Sequence, residues 1–362
     1  MLLTALLAGM LAQTPEETEG PERDLSFTVE LSGGRQLGAS GFIDFEAVPA
    51  RLYLNGGYTL LKAPPLPATD TSPAVPTAAT HVFSGGVDWT QGRHFSLSFL
   101  VSGSPKATDQ VVINPNAPPL LQLTLLTWRS SLGATLMAGW ASGGLSDFEW
   151  VIDGGFSVTA NKLGRGVKAS GAASRMTLDE DALIAYRGSA GLTLTFFDRA
   201  DVALRAGLNG YSTNPLTAGR FSSADFGQIA RTLSADAARF TTDLEALSRA
   251  AQTAATRIGQ ADSLAGYASA PLYVEARLLV RYRFGRRVSA DLGWTYNRYV
   301  PTAGYSNILS SRVTVKLGTR WRVWVGGALQ HDQPLDQPAR RTPDDPQGSF
   351  SGLVTVGAEL TL

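Results

Sequence analysis

The chain has 362 residues, with 31 basic and 31 acidic side chains and a formal net charge of +0 at pH 7. This balance gives no whole-chain electrostatic attraction to nucleic acid, so we expect no nucleic-acid partner. The sequence contains no cysteine, which excludes disulfides and thiolate metal sites.

The N-terminus predicts a targeting segment. The first twelve residues, MLLTALLAGMLA, are apolar, too short to cross a bilayer as a helix, and end in a small residue. We predict a secretory signal peptide at 1–12 and a disordered acidic segment at 13–23, because QTPEETEGPERD has little to bury. A buried N-terminal helix is the alternative.

Apolar and polar residues alternate from Leu25 almost to the last residue, which predicts strands with one apolar and one polar face. We expect about sixteen strands. The two weakest are 39–46, which could extend the first strand, and 165–174, which has almost no apolar content; without both, fourteen remain. The other clear strands are predicted at 51–61, 81–89, 94–103, 148–160, 183–197, 201–211, 271–284, 287–299, 307–317, 320–330 and 349–362.

The connections alternate in length. Tight turns are predicted at 90–93, 198–201, 285–287 and 318–320, and long polar or proline-rich loops at 62–78, 104–119 and 331–348. Short turns at one end and long loops at the other are typical of a transmembrane antiparallel up-and-down β-barrel. Large aromatic residues next to the short turns predict an interfacial girdle; these are Trp89, Trp128, Phe196, Phe197, Phe284 and Trp321.

One segment, 222–264, breaks the alternation. Its apolar residues recur every three or four positions, which predicts a helical insert on the side of the long loops. The insert either packs in the lumen or over the mouth as a plug, or docks a partner chain or a second copy. The apolar stripe includes Phe226, Ile229, Leu233, Phe240, Leu244, Leu247 and Ile258.

The strand after the insert, LYVEARLLVRYRF, has apolar residues at every even position from Leu272 to Phe284 and mostly charged residues between them. We expect the even face to contact lipid and the odd face to line the lumen. The final strand ends on the apolar Leu362, which fits pairing of the first and last strands in a closed barrel.

In these features the chain resembles bacterial outer-membrane β-barrel, porin-like proteins from about Leu25 to Leu362, so that 24–362 would form one barrel with its insert. The ending also resembles their C-terminal insertion signal, with leucine where an aromatic residue is commoner. The resemblance implies an integral outer-membrane protein of a Gram-negative bacterium, surrounded by outer-membrane lipid and inserted by the barrel-assembly machinery.

Inward positions carry the candidate functional side chains, because lipid-facing positions are apolar. Basic residues on later strands would face acidic ones on earlier strands across the lumen and orient charged solutes. The alternative is local pairing that neutralises these charges. The candidates for lining the lumen are Arg187, Arg205, Glu275, Arg277, Arg281, Arg283, Asp291, Arg312, Lys316, Arg322, Asp88, Glu149 and Asp153.

The sequence gives little indication of an enzyme active site. His94 with Ser96 and Asp88 is the one nucleophilic set worth weighing, but no local motif joins these residues. We predict no enzyme, no cofactor and no metal site.

We therefore expect a channel for uptake or export of polar or anionic solutes or polymers, narrowed or gated by the insert. The alternative is a non-conducting barrel whose insert anchors an envelope or surface complex.

Overall fold

The computed structural model describes residues 25–34, 37–49, 51–62, 65, 74–75, 77–92, 94–112, 122–142, 147–169, 175–215, 218–219, 221, 225, 228, 272–299, 304–333 and 349–362. Within them, antiparallel strands form one closed barrel in which each strand pairs with its neighbours in sequence and β1 pairs with β14. The fourteen strands are β1 Leu25–Gly34, β2 Leu37–Val48, β3 Leu52–Lys62, β4 Thr80–Gln91, β5 Phe95–Val112, β6 Leu123–Ala141, β7 Phe148–Ala169, β8 Arg175–Phe196, β9 Ala200–Tyr211, β10 Leu272–Arg283, β11 Val288–Tyr299, β12 Tyr305–Leu317, β13 Trp321–Gln333 and β14 Ser349–Thr361.

The barrel has fourteen strands rather than about sixteen. Segment 39–46 is a separate strand, β2, and not an extension of the first. Segment 165–174 is no strand of its own, because β7 continues to Ala169. The loop predicted at 104–119 is also too long, since β5 runs on to Val112.

The last two of these differences, at 165–174 and 104–119, come from the four long strands β5 to β8. They have 18 to 22 residues, whereas the other ten have 10 to 13. A tilted strand of about 10 residues already crosses the hydrocarbon layer. The additional residues of β5 to β8 lie at the loop end and form a wall segment, the outer extension, whose outward face carries exposed lysines, Lys162 and Lys168. Outside lipid the apolar alternation is not required, so the sequence there resembles that of a loop.

Side-chain alternation sets the two faces of the barrel wall. Large apolar residues such as Leu132, Leu208 and Val354 are 59 to 64% exposed on the outer surface, as expected where lipid replaces water. Between the two ends of the barrel, every described outward side chain is uncharged. In β10, Val280 and Tyr282 point outward as predicted, but an irregularity between Leu272 and Val274 turns Leu272 inward and leaves it 8% exposed.

Tight connections join strands at one end. Gly92 and Gly318 adopt positive φ in two of them, at 62° and 78°. Phe197 and Asp198 also have positive φ, 52° and 54°, and the amide of Arg199 donates to the carbonyl of Phe196 at 3.0 Å. These values describe a two-residue hairpin turn of the type that suits the twist of the adjoining strands.

Aromatic residues form an outward ring beside these turns. Ring pairs include Trp89 with Phe95 at 5.8 Å and Tyr282 with Phe284 at 4.9 Å between centroids. Phe196 and Trp321 lie at the same end. Trp128 does not belong to this ring: it lies near the opposite end of β6, because β6 begins at Leu123 in the outer extension.

The predicted insert falls mostly outside the described residues. In 222–264 only Asp225 and Gln228 are described, and both are in helical conformation. The predicted apolar stripe from Phe226 to Ile258, the signal peptide 1–12 and the segment 13–23 lie outside the described part of the chain. No described helix is long and apolar enough to span a membrane.

Candidate functional site: the inner wall and its outer mouth

Most inward cations of the barrel are neutralised by a carboxylate on the same wall. A buried charged side chain that pairs with an opposite charge recovers part of the desolvation cost. In a sheet, the nearest such partners lie on neighbouring strands. The structure therefore has the local pairing that the sequence left as an alternative to opposed charged walls.

A glycine allows the first of these pairs to reach across a strand. Asp153 on β7, Gly191 on β8 and Arg205 on β9 occupy one row of the inner wall. The Arg205 guanidinium donates to Asp153 across this glycine. A Cβ at Gly191 would lie 2.7 Å from a carboxylate oxygen of Asp153, so the Asp153–Arg205 pair requires a residue without a side chain at position 191.

The second pair repeats this arrangement one strand further on. Arg187 on β8 lies over Gly207 on β9 and donates to Glu275 on β10 at 3.2 Å. Arg277 lies 3.4 Å from the other oxygen of Glu275, within ion-pair distance but without a hydrogen bond. Arg277 also stands directly opposite Arg205. One buried carboxylate thus neutralises two guanidinium groups in a wall where three converge.

Further pairs line the turn end and the closing strands. Arg281 donates to Asp291 at 2.8 Å, and Arg283 donates to Asp201 at 2.7 Å. Arg322 lies 3.3 Å from Glu359.

The closure between β14 and β1 has its own polar contact. Glu30 on β1 accepts from Arg312 at 3.1 Å and from the indole nitrogen of Trp324, also at 3.1 Å. The Trp324 side chain passes over Gly357 on β14 to reach Glu30 on β1, so a glycine again allows a side chain to cross a strand, as at Gly191 and Gly207. Lys316 on β12 faces inward opposite Arg322.

The wall formed by β1 to β6 differs from the rest. Its inward positions are mainly small or hydroxyl-bearing, such as Ser84, Ser98 and Thr135. Asp88 accepts from the amide of Asn55 at 2.6 Å, and among the described residues neither it nor Asp44 forms an ion pair. Glu149 faces inward near the turn end of β7. The described inner wall therefore has no surplus of positive charge.

A buried cluster lies at the outer mouth, in the outer extension. Arg165 on β7 is 8% exposed and donates to Asp225, Asp181 and Asp179 at 2.7, 2.7 and 3.0 Å. Burial alone would lower the pKa of Arg165, but the hydrogen bonds to Asp225 and Asp181 outweigh burial and raise the pKa above its ordinary value. Arg165 shares the inner face of β7 with Asp153, so Asp225 lies on the lumen side of the wall.

Two further contacts bring loop backbone to this inner face. The amide of Gly219 donates to Asp181 at 2.8 Å. The amide of Ala78 donates to Asp109 at 2.6 Å, and Asp109 is paired with the buried Arg129. Chain from two outer connections therefore packs against the inside of the mouth.

The histidine set considered for catalysis is not assembled. His94 donates from Nδ1 to the carbonyl of Ala141 at 3.0 Å and stacks on Trp140, while Asp88 is engaged by Asn55. Among the described residues, no group of three acidic or histidine side chains could hold a metal ion.

The mouth residues Arg165, Asp181 and Asp225 were absent from the sequence-based candidates. Segment 165–174 is predicted only as a weak strand with almost no apolar content, so its alternation does not show which way Arg165 faces. An arginine within a run of glycines, GRG, followed by the acidic run DED at 179–181, was the available signal.

The sequence matches no protein-family model and no curated protein. Among solved structures, it is similar to the CymD monoaromatic hydrocarbon channel, with 10% identity over 93% of this chain and 88% of that chain and a TM-score of 0.46. It is also similar to the translocator domain of the autotransporter NalP from Neisseria meningitidis, with 11% identity, coverage of 100% and 95%, and a TM-score of 0.47. A third is a Pseudomonas aeruginosa FadL homologue, with 9% identity, coverage of 93% and 90%, and a TM-score of 0.47. These structures are outer-membrane β-barrel proteins, the class that this chain resembles.

Proposed function

We propose that this protein is an outer-membrane channel through which polar solutes cross, narrowed at its outer mouth by the segment that begins near Asp225. The observation that carries the proposal is the contrast between an apolar outer belt and an inner wall that is polar along its length. Eight strands enclose an interior that side chains just fill, so fourteen leave room for a lumen.

Local pairing refines the proposed solute class. Arg187, Arg277 and Arg281 all have carboxylate partners. The inner wall therefore offers alternating charges and hydroxyl groups rather than a cationic surface. We propose polar solutes in general as the cargo, and we expect at most a weak preference for anions.

The mouth cluster supports the narrowing. Asp225, near the start of the predicted insert, is 6% exposed and is bound to an arginine on the inner face of the barrel. This placement favours a plug over a docking element outside the wall.

Conductance in planar bilayers tests both parts of the proposal. The wild-type protein should conduct, and Asp225→Asn should conduct more or fluctuate more, because removing a carboxylate from a buried pair leaves Arg165 less well satisfied. Asp179→Asn is the matched control, since its side chain is 52% exposed and its pair with Arg165 should contribute little. Absence of conductance in all three proteins would refute the channel and favour the non-conducting anchor. Equal conductance in all three would refute only the narrowing.

A further inference from the structure

Among the residues whose side chains the structure describes, charge on the outward face of the barrel strands lies at the loop end. Among the described outward positions there, the cations are Lys62, Lys106, Lys162, Lys168 and Arg298, and the only carboxylate is Glu180. An outward ring dominated by cations, immediately above an apolar belt, is where an anionic membrane surface would meet the protein.

Two of these lysines flank one serine. Ser104 pairs with Ser131 and Ala107 with Arg129, so Pro105 and Lys106 form a bulge opposite Ser130. On the other side, Lys162 pairs directly with Ser130. The two lysines therefore stand on β5 and β7, two strands and about 10 Å apart, with a hydroxyl between them.

The height of this pair relative to the membrane follows from the register. The next outward residue on β6 is Leu132, which is 64% exposed and belongs to the apolar belt. One step in the opposite direction lies Trp128, over whose ring the Lys106 ammonium sits at 4.6 Å. The lysine pair thus lies at the boundary between hydrocarbon and headgroups.

The carboxylate nearest to this pair is already engaged. Glu180 accepts from the indole nitrogen of Trp128 at 3.2 Å, and Trp128 lies flat over Gly164. Lys106 is positioned by the aromatic ring, and Lys162 forms no ion pair with a described carboxylate. Both ammonium groups are exposed and available to an anion.

We propose that Lys106, Ser130 and Lys162 form a binding site for a phosphate group of a phosphorylated glycolipid in the outer leaflet. The ammonium groups would bind phosphate oxygens, and Ser130 would donate a hydrogen bond between them. Acyl chains of the same lipid would lie along the belt below, against Leu132. The site does not depend on solute passage, but it rests on the proposed outer-membrane location.

Binding of purified lipid A to the full-length protein in detergent micelles tests this site. Each basic side chain near an anionic membrane surface contributes about fivefold in affinity, so Lys106→Gln with Lys162→Gln should weaken binding about 30-fold. The matched control is Lys168→Gln with Arg298→Gln, which removes the same charge from the same end of the barrel, six residues (about 20 Å) beyond Lys162 along β7 and on the distant strand β11. This control should change affinity less than about threefold, as expected for screened charges more than a Debye length away.

Three outcomes would overturn the site. Equal losses in the two double variants would mean a diffuse cationic rim. Unchanged affinity in the Lys106 and Lys162 variant would mean that the pair does not bind the lipid. Equal binding of enzymatically dephosphorylated lipid A would mean that phosphate is not recognised. Unchanged bilayer conductance of both variants, measured in parallel, shows that they are folded and separates failure of this site from failure of the channel.

Discussion

Replacing Glu275 by glutamine should alter both the ion selectivity and the stability of the barrel. The Glu275 side chain is 4% exposed and is the carboxylate partner of Arg187 and Arg277. Glutamine keeps the size of the side chain but removes its charge. Two guanidinium groups on the inner wall then lack their counter-ion, and the lumen gains one positive charge.

The stability loss can be bounded from burial. Removing one partner from a buried ion pair costs about 3 to 5 kcal/mol. Because the Arg187 and Arg277 side chains are 19% and 21% exposed, water compensates part of this loss, and we expect about 2 kcal/mol after that discount. Glu30→Gln is the control: Glu30 and its partner Arg312 are 30% and 41% exposed, so we expect at most about 1 kcal/mol.

Two measurements check these expectations. Urea unfolding in lipid vesicles, followed by tryptophan fluorescence, gives the difference in free energy of unfolding. The reversal potential in planar bilayers under a salt gradient gives selectivity, which should move toward anions in Glu275→Gln and toward cations in Arg277→Gln. Reversal potentials that shift in the same direction in both variants, or equal stability losses in Glu275→Gln and Glu30→Gln, would refute the reasoning from burial and local pairing.

Two substitutions test the barrel wall itself. Gly191→Val should place a side chain where Asp153 reaches Arg205 and lower the free energy of unfolding by about 1 to 3 kcal/mol. The control Gly188→Val should change the free energy of unfolding little, because an added Cβ there would meet no heavy atom within 4 Å. Similar losses in both variants would mean that the loss comes from the strand propensity of the new residue and not from disturbing the Asp153–Arg205 ion pair. Val280→Arg should lower the free energy of unfolding in vesicles by about 2 to 4 kcal/mol, because the guanidinium would face the hydrocarbon; unchanged stability of this variant would show that β10 does not contact lipid there.

The fold class followed from local pattern because lipid acts on each residue separately. An outward position in hydrocarbon must be apolar whichever strand lies beside it, so alternation alone identified the lipid face of β10 from Val274 to Tyr282. Tight turns and the aromatic ring at Trp89, Phe196 and Trp321 are similarly local. The count of about sixteen strands was wrong where this constraint ends, in the polar outer extension of β5 to β8.

The pairing of charges was decided only by the tertiary structure. Arg187 and Glu275 are 88 residues apart, and Arg312 and Glu30 are 282 apart. Which carboxylate meets which guanidinium depends on the register of neighbouring strands, on barrel closure and on glycines such as Gly207 that let a side chain cross a strand. Within the lipid-crossing part of the strands, sequence therefore separated outward from inward positions, because the surrounding solvent selects polarity at each position; it did not do so in the outer extension. Only the closed sheet decided that these charges neutralise one another locally, because ion pairing requires atoms within a few ångströms.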